Sequence, residues 1–144
     1  RMIIFASEDI GNADPRAVSL AVSVGQAVEM IGLPEAGINL AHAVSYLASA
    51  PKSNRSYLAY NKAMDFVKTN AQANVPLHLR SSKTIEMKNL GYGKNYQYPH
   101  DFERSWVDQN YWPESVGPQV FYEPSENGFE KNIKQYHSWL RKKN

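Results

Sequence analysis

Apolar residues in the first half of the chain recur at steps of three and four positions, which is the period of an amphipathic α-helix. The first such stripe consists of Val18, Ala21, Val22, Gly25 and Val28. Asp14 and Pro15 precede this stripe as an N-cap and a first-turn proline, and Gly32 follows it as a stop signal. The pattern therefore predicts a helix between Pro15 and Gly32.

Two further helices are predicted in the same half. One runs from Pro34 to just before Pro51, because a proline pushes the residue before it out of the helical region. Its apolar or small positions fall on two adjacent sides, one with Ile38, Ala41, His42, Ser45 and Ala48, the other with Leu40, Val44 and Leu47. Ser53 or Asn54 is predicted to cap a third helix, about Arg55 to Ala71. Its stripe consists of Tyr57, Tyr60, Met64 and Val67. Many small side chains would let the helix axes approach closely, so we predict an antiparallel helical bundle.

The helical rhythm breaks after Ala73. One short helix is predicted from Ser82 to Leu90, with Gly91 in its C′ position, and a short extended segment is predicted at Gln119 to Tyr122. A last helix is predicted from Gly128 to Arg141, and basic residues at its end match the negative helix C-terminus. These are Arg141, Lys142 and Lys143. The fold class predicted is all-α, with an irregular, aromatic-rich second half.

Composition narrows the classes of protein that remain. The 144 residues are 42% apolar and 21% charged, with a formal net charge of +2 and no cysteine. This apolar fraction suits one folded domain rather than a disordered tail. The small net charge predicts no strong attraction to nucleic acid or a membrane. The absence of cysteine excludes disulfides and thiolate metal sites, and the lack of any run of about 18 apolar residues excludes a transmembrane helix.

Few residues of the chain suit catalysis. No G-x-x-x-x-G-K-[ST] phosphate loop occurs in the sequence, so the chain is not expected to hydrolyse ATP by itself. His100 and Asp101 form a dipeptide found in metal-dependent hydrolases, but no histidine has the H-E-x-x-H spacing of a zinc site. Hydrogen bonding or capping is the favoured role for His100 and for Ser53. We therefore predict no catalytic, cofactor-binding or metal-binding residue.

The segment from His78 to Arg104 interleaves cations with aromatic rings. Its candidate contact residues for DNA or a partner are Arg80, Lys83, Lys88, Tyr92, Lys94, Tyr96, Tyr98 and Arg104. Cations beside stacking rings are typical of grooves for single-stranded nucleic acid, and tyrosine and arginine are enriched in protein interfaces. The favoured alternative is that the rings cover a small core and the cations face water, because Glu86, Asp101 and Glu103 dilute the positive charge.

Several motifs, in order along the chain, resemble those of one protein family. They are Ala6 to Pro15, Ile31 to Glu35, Ala50 to Asn54, Pro76 to Arg80, Leu90 to Gly93, Tyr96 to Asp101, Gln109 to Pro113 and Phe121 to Pro124. Structural roles are predicted at Asp14, Pro15, Pro51, Lys52, Ser53, Asn54, His78, Gly91, Gly93, His100 and Asp101. Together the motifs resemble the C-terminal region of the replication-associated recombination ATPases, the RarA/MgsA family of AAA+ proteins.

The resemblance implies an all-α domain similar to the C-terminal oligomerisation domain of clamp loaders, and it implies a homotetramer. Full-length members carry ATP and Mg²⁺ in an upstream ATPase domain, and they act at stalled replication forks with links to DNA and to single-stranded DNA-binding protein. The resemblance therefore implies a cytoplasmic, nucleoid-associated bacterial protein with no membrane partner. No catalytic residue of the family carries over, because its ATP-contacting motifs would lie upstream of Arg1.

The resemblance and the composition together suggest a domain organisation. Residues 1–13 would be a junction helix from the lid region, and residues 14–144 the C-terminal oligomerisation domain. All 14 alanines precede Asn74, while 12 aromatic residues follow His78, so we predict a helical core at 14–73, an irregular lobe at 74–127 and a final helix at 128–142. The function predicted is non-catalytic oligomerisation of a AAA+ ATPase of DNA replication, recombination and repair. The alternative is a single-stranded DNA-binding module at 78–104.

Overall fold

The computed structural model describes residues 1–141, and it contains six α-helices and no β-strand within that range. The helices are α1 (Met2–Phe5), α2 (Arg16–Ile31), α3 (Gly37–Ser49), α4 (Arg55–Thr69), α5 (Ile85–Asn89) and α6 (Glu130–Arg141). This confirms the predicted all-α class. None of the helices in this part of the chain is long and apolar enough to cross a membrane.

The first 13 residues change helical form twice. After α1, a π-helix occupies Ala6–Ile10 and a 3₁₀ turn occupies Gly11–Ala13. Gly11, the first residue of the 3₁₀ turn, has a φ of +50°. π-helical turns are rare in proteins and are often found at functional positions.

The predicted start and stop signals of α2 are confirmed. Asp14 has extended backbone angles, and its Oδ1 accepts the backbone N–H of Arg16 at 3.2 Å, which is the geometry of an N-cap. Gly32 ends the helix at a φ of +77°. The predicted start of α3 at Pro34 is too early, because a turn at 33–36 precedes Gly37. In this turn the N–H of Ala36 donates to the backbone oxygen of Gly32, and the N–H of Gly37 donates to that of Pro34.

The later elements are shorter than predicted. The helix expected from Ser82 begins only at Ile85, because the Thr84 hydroxyl accepts the N–H of Met87 at 3.2 Å and so caps it. The α4 helix ends at Thr69 rather than Ala71, and α6 begins at Glu130 after a turn. The extended segment predicted at 119–122 forms no strand. Lys142 and Lys143, predicted to match the end of the last helix, lie outside the described residues, as does the side chain of Arg141.

Backbone contacts divide the chain into two compact units. The first comprises Arg1–Asp65 and the residues from Phe121 onward, and the second comprises Phe66–Val120. The core of the first unit consists of Ala6, Ile10, Ala17, Ala21 and Leu47. Of the ten apolar side chains that are buried within residues 1–141, six are alanine and only Val107 belongs to the second unit. The first unit therefore packs its helices through small side chains.

The buried sides of α2 and α3 agree only in part with the apolar sides predicted from the sequence. In α2 the buried side chains are Ala17, Ala21 and Val24, while Val18 and Val22 are 37% and 40% exposed. In α3 the buried pair is Ala43 and Leu47. Of the two sides named from the sequence, the one with Ile38, Ala41, His42, Ser45 and Ala48 is exposed, and the one with Leu40, Val44 and Leu47 contributes Leu47 to the core. Both helices are apolar on more than one side, so periodicity alone could not choose which side faces inward.

Candidate functional site

The loop at 51–54 begins with a lysine that caps the preceding helix. Lys52 Nζ donates to the backbone oxygens of Leu47 at 2.9 Å and Ala48 at 3.2 Å, near the end of α3. A cation at these carbonyls complements the negative end of the helix. The same ammonium lies 5.8 Å from the centroid of the Phe5 ring in α1. The contacts of Lys52 therefore join the end of α3 to α1 within the first unit.

Ser53 connects the same loop to three other segments. Its N–H donates to the backbone oxygen of Asp9 in the π-helix at 2.8 Å. Its Oγ accepts the N–H of Arg55 at 3.3 Å, which caps α4 as the sequence predicted. Asn127 adds a further connection, because its Nδ2 donates to the backbone oxygen of Lys52 at 2.9 Å.

Glu130, the first residue of α6, is a fully buried carboxylate. Its Oε2 accepts from Ser53 Oγ and from the Ser125 N–H, both at 2.8 Å, and its Oε1 accepts from the Tyr122 hydroxyl at 2.7 Å. Its negative charge also lies at the positive N-terminal end of a helix. Three donors and a helix terminus thus replace the water that the carboxylate loses on burial.

These contacts set the protonation states of the Glu130 network. Burial acts to raise the pKa of Glu130, but the hydrogen bonds from Ser125, Tyr122 and Ser53 outweigh it, so the pKa lies below its usual value. Burial, together with the hydrogen bond to Glu130, raises the pKa of Tyr122 to about 12. The Tyr122 hydroxyl also accepts from Asn12 Nδ2 at 3.1 Å. At neutral pH the pair is an ionised carboxylate and a neutral phenol.

Asp14 is the buried member of a second polar cluster, between the start of α2 and α3. Its Oδ1 accepts from Arg16 Nε at 2.9 Å, and its Oδ2 accepts from the Tyr46 hydroxyl at 2.5 Å. The hydrogen bond from Arg16 is the main reason that the pKa of Asp14 lies below its usual value. Burial opposes it, and the bond from Tyr46 reinforces it. Asp14 is only 6% exposed, whereas the adjacent Pro15 is exposed. The cluster is suited to holding two helices together.

The two glycines of the Leu90–Gly93 motif have separate structural roles in the second unit. Gly91, at a φ of +80°, ends α5 in a Schellman motif, because its N–H donates to Lys88 O and the next N–H donates to Met87 O. Gly93 allows a close approach, since a Cβ there would lie 2.6 Å from Ser82 Oγ. Its N–H donates at 2.9 Å to the backbone oxygen of Leu77, beside His78.

The predicted contact residues of the second unit are mostly on the surface. Arg80 is partly buried, and its guanidinium lies 5.2 Å from the centroid of the Tyr92 ring. The exposed members are Lys83, Lys88, Lys94, Tyr96, Tyr98 and Arg104. Tyr96 and Tyr98 are 48% and 53% exposed, whereas Tyr92 is partly buried. The exposure of the lysines is what the favoured alternative expects, and the exposure of Tyr96 and Tyr98 is not. Whether they contact DNA or a partner stays a prediction.

His100 and Asp101 lie in an exposed 3₁₀ turn at Pro99–Asp101. The Nδ1 of His100 is 3.1 Å from Ser105 Oγ, and its ring lies 5.0 Å from that of Tyr98. Within residues 1–141, no group of three or more His, Asp or Glu side chains is arranged to hold a metal ion. The local contacts of His100 are those of a surface turn.

Sequence reasoning missed the two residues at the centre of the larger polar network, Glu130 and Tyr122. Tyr122 lies in one of the recognised motifs, but its partners Asn12 and Glu130 are 110 and eight residues away. The available signal for Glu130 was its place in the first turn of a predicted helix, where acidic residues are common. That signal predicts an exposed carboxylate and not a buried one.

The exposed large apolar side chains of the first unit include two groups, one at a turn and one in a cleft. At the turn between α2 and α3, Met30, Leu33 and Ile38 are 86%, 70% and 80% exposed; we call this the α2–α3 apolar turn, and it also includes Ile31. Between α1 and α4 there is a cleft of about 420 Å³, which we call the α1–α4 cleft. It is lined by Ile3, Ile4, Ser7, Glu8, Ser56, Tyr57 and Tyr60.

Within residues 1–141 the secondary structure is helical, and the polar motif residues mainly join helices to one another. Over residues 1–141 the chain matches the family described as MgsA AAA+ ATPase C terminal. The chain therefore belongs to this C-terminal family of AAA+ ATPases, which confirms the family predicted from its motifs.

Relatives with similar sequences occur in several bacteria. Replication-associated recombination protein A of Coxiella burnetii is 43% identical over 100% of this chain and 33% of its own length. The protein of the same name from Bacillus subtilis is 37% identical over 99% of the chain and 34% of its own length. An uncharacterised protein of Thermotoga maritima is 49% identical over 92% of the chain and 21% of its own length. The chain thus spans about a third or less of each of these relatives.

Proposed function

We propose that this chain is the oligomerisation domain of a AAA+ ATPase that acts in DNA replication, recombination and repair at stalled forks. In this proposal it forms a homotetramer and is itself non-catalytic, while ATP and Mg²⁺ bind upstream in the whole protein. The role in recombination is taken from the names of the relatives from Coxiella burnetii and Bacillus subtilis. The proposed location is the cytoplasm, in association with DNA.

The observation that carries the proposal is the excess of exposed apolar surface in the first unit. Buried apolar positions are mainly alanines, whereas many large side chains of α1 to α4 are more than one third exposed. Scattered exposed apolar residues are ordinary, but clusters of them mark interaction sites. The α2–α3 apolar turn and the α1–α4 cleft are two separate clusters, and two different contacts per subunit suit an assembly larger than a dimer.

Light scattering of the purified chain across a concentration series tests this proposal. A stable mass near four times 16.3 kDa is expected for the parent chain. Ile38→Glu places a charge in the α2–α3 apolar turn and should reduce the mass without unfolding the subunit, because Ile38 is 80% exposed. Asn132→Glu adds the same charge at an exposed position in α6 and should leave the mass unchanged.

Two outcomes contradict the proposal in different ways. A monomeric parent chain at all concentrations would mean that assembly is not encoded in these residues. A tetramer that Ile38→Glu leaves intact would remove the α2–α3 apolar turn from the contact. In that case Tyr60→Ser, at a 63% exposed position of the α1–α4 cleft, tests the second cluster in the same way.

A second candidate function is single-stranded DNA binding by the segment 78–104, supported by the exposure of its tyrosines and lysines. The proposal predicts binding that weakens steeply as salt is added, because each phosphate contact releases counterions. Fluorescence anisotropy of a labelled single strand at low salt measures it. A flat titration removes this candidate and leaves the assembly role unaffected. Binding to single-stranded DNA-binding protein would also be measured by fluorescence anisotropy.

A further inference from the structure

The positive charge of the chain is concentrated in residues 131–144. They contain five of the 16 lysine and arginine residues and none of the 14 aspartate and glutamate residues. Their formal charge is therefore +5, while residues 1–130, with 11 basic and 14 acidic residues, carry −3. The small net charge of +2 hides this asymmetry, which suggests binding to a polyanion. The five cations are Lys131, Lys134, Arg141, Lys142 and Lys143.

Two of these cations lie in the first half of α6, where the helix dipole does not favour them. Lys131 and Lys134 follow Glu130, the first residue of the helix, and the N-terminal end of a helix is positive. Lys131 forms no ion pair or hydrogen bond within residues 1–141, and Lys134 pairs with Glu126. Attraction to the negative C-terminus of the helix therefore does not explain these two lysines.

The two lysines lie on the exposed side of α6. The other side of the helix is buried or partly buried, with Glu130, Ile133, His137 and Leu140. On that side the His137 ring contacts the Tyr122 ring edge to face, with their centroids 6.4 Å apart. Lys131, Lys134 and Ser138 are exposed, and steps of three and four residues place them together. The cations are thus accessible to a partner while the opposite side packs on the first unit.

A groove of about 410 Å³, which we call the α6 groove, lies along this exposed side. Its walls consist of Glu126, Lys131, Lys134, Gln135, Ser138 and Trp139. The Trp139 ring is stacked with that of Tyr136, with the centroids 5.9 Å apart and the planes at 19°. Tyr136 is 44% exposed, so the stack is open to a further flat group. The helix therefore presents cations beside two stacked rings.

A single-stranded nucleic acid fits this surface better than a membrane does. Proteins that bind single strands combine cations for the phosphates with aromatic rings on which the bases stack. A helix that binds a membrane inserts its apolar side into the lipid. In α6 that side includes Ile133 and Leu140, which are partly buried against the chain itself. The side that remains accessible is the one with the lysines.

We propose that the α6 groove binds a single-stranded nucleic acid. Lys131 and Lys134 bind phosphates, and a base stacks on Tyr136, which Trp139 holds in place. The basic residues at 141–143 increase the attraction through their charge. This site belongs to the first unit, whereas the candidate segment 78–104 belongs to the second. It does not depend on the assembly proposed above.

Fluorescence anisotropy of a labelled thymidine oligonucleotide, titrated with the 144-residue chain at several salt concentrations, tests the site. The double variant Lys131→Ala and Lys134→Ala should bind at least about tenfold more weakly at low salt. The slope of its binding constant against salt, both as logarithms, should fall by about 0.7 for each lysine removed. The control is the double variant Lys83→Ala and Lys88→Ala, which loses the same charge at exposed positions of the second unit.

The control should change the affinity by less than about twofold. Equal losses in both double variants would indicate general charge attraction, and a larger loss in the control would place the strand on segment 78–104. Either result would overturn the proposal, as would a flat titration of the parent chain. The mass of the lysine variant in light scattering should equal that of the parent, so this test is separate from that of the assembly.

The stacking contact is tested by Tyr136→Ser, with Tyr96→Ser as its control. The two tyrosines are 44% and 48% exposed, but only Tyr136 stacks with Trp139. Loss of a stacked base should weaken binding about tenfold in Tyr136→Ser and leave Tyr96→Ser within about twofold of the parent. The parent should also bind the oligonucleotide more tightly than a duplex of equal length. An unchanged affinity in Tyr136→Ser would contradict the proposed site.

A nuclear magnetic resonance measurement on the parent chain avoids any question of misfolded variants. The chain has three tryptophans, and Trp106 and Trp112 belong to the second unit. The indole N–H signal of Trp139, assigned with Trp139→Phe, should shift when the thymidine oligonucleotide is added, and the other two should stay in place. A shift confined to Trp106 and Trp112, or no shift of Trp139 at saturation, would overturn the assignment to α6.

Discussion

At the scale of single residues, Glu130 shows how a buried charge can join distant parts of a chain. Its carboxylate accepts bonds from Ser53, 77 residues away, and from Tyr122 and Ser125 close by. Every bond involves a donor that is itself part of a loop, so the network fixes loops rather than helix interiors. Such a network is stabilising only while all its members are satisfied.

Glu130→Gln should destabilise the chain by about 1–3 kcal/mol, since the new amide places a donor against donors that the carboxylate accepted. Urea unfolding followed by circular dichroism measures the change. Glu126→Gln is the matched control, because that carboxylate is exposed and forms a surface ion pair with Lys134, and surface pairs contribute about 0–1 kcal/mol. Equal effects of the two variants would contradict the assigned role of Glu130.

The same network predicts how stability depends on acidity. Because the pKa of Glu130 is lower in the folded chain than in the unfolded one, its contribution is complete above the unfolded value of about 4.3 and is lost as the pH falls through the folded value. The gap in stability between the parent and Glu130→Gln should therefore narrow below about pH 4. Unfolding free energies of both chains at pH 6 and at lower pH measure this gap. A constant gap would contradict the prediction.

The sequence predicts residues whose partners are close along the chain. Asp14 and Gly32 were recognised as the limits of α2 because capping depends on two or three neighbouring positions. The bonds of Glu130 depend on segments that only the folded chain brings together. No local pattern distinguishes a buried first-turn glutamate from the common exposed one, so the structure was needed to find it.

At the scale of elements, two glycines differ in whether the fold leaves room for a side chain at their positions. A Cβ at Gly128 would lie 2.0 Å from the backbone oxygen of Ala13 and 2.8 Å from Pro51, and its φ is +53°. Gly25, in α2, has no atom within 4 Å of the position a Cβ would take. The first glycine therefore allows the turn before α6 to approach the residues before α2, while the second has no packing role.

Gly128→Ala should destabilise the chain by about 3 kcal/mol, because the overlap with backbone atoms and the positive φ both have to be relieved. Gly25→Ala should instead stabilise α2 by about 0.5–1 kcal/mol, since alanine loses less backbone entropy in a helix. Thermal unfolding of the two variants and of the parent chain shows whether each substitution raises or lowers the stability. A stable Gly128→Ala would mean that the close approach of the turn to Ala13 is not essential.

The sequence predicted the helices correctly, but it predicted an extended segment at 119–122 that is absent from the structure, and it identified the buried sides of α2 and α3 only in part. The helices were recognised from their spacing, but the stripe with Val18 and Val22 was expected inside and is largely exposed. Alanine occupies the inward positions, and a hydrophobicity pattern gives alanine less weight than valine or isoleucine. Where the large residues face outward, the pattern predicts the helix and misplaces its core.

At the scale of the whole molecule, the two compact units differ in how they are stabilised. Buried apolar side chains in the first unit come from α2, α3 and the residues before them, whereas the second unit has only Val107 within residues 1–141. The second unit is held mostly by turns, two capped ends of α5 and ring contacts such as that of Phe66 with Trp112. Few buried apolar contacts mean a low free energy of local opening.

Hydrogen exchange measured by mass spectrometry should therefore separate the units. Amides of α2 and α3 should exchange only through global unfolding, while those of residues 77–105 should exchange through local openings of much lower free energy. Adding denaturant at low concentration should increase the exchange rate of the α2 and α3 amides. It should leave the exchange rate of the amides at 77–105 nearly unchanged, because local openings expose little surface. Equal protection in both regions would mean that the turns and caps of the second unit stabilise it as strongly as the alanine-packed core stabilises the first.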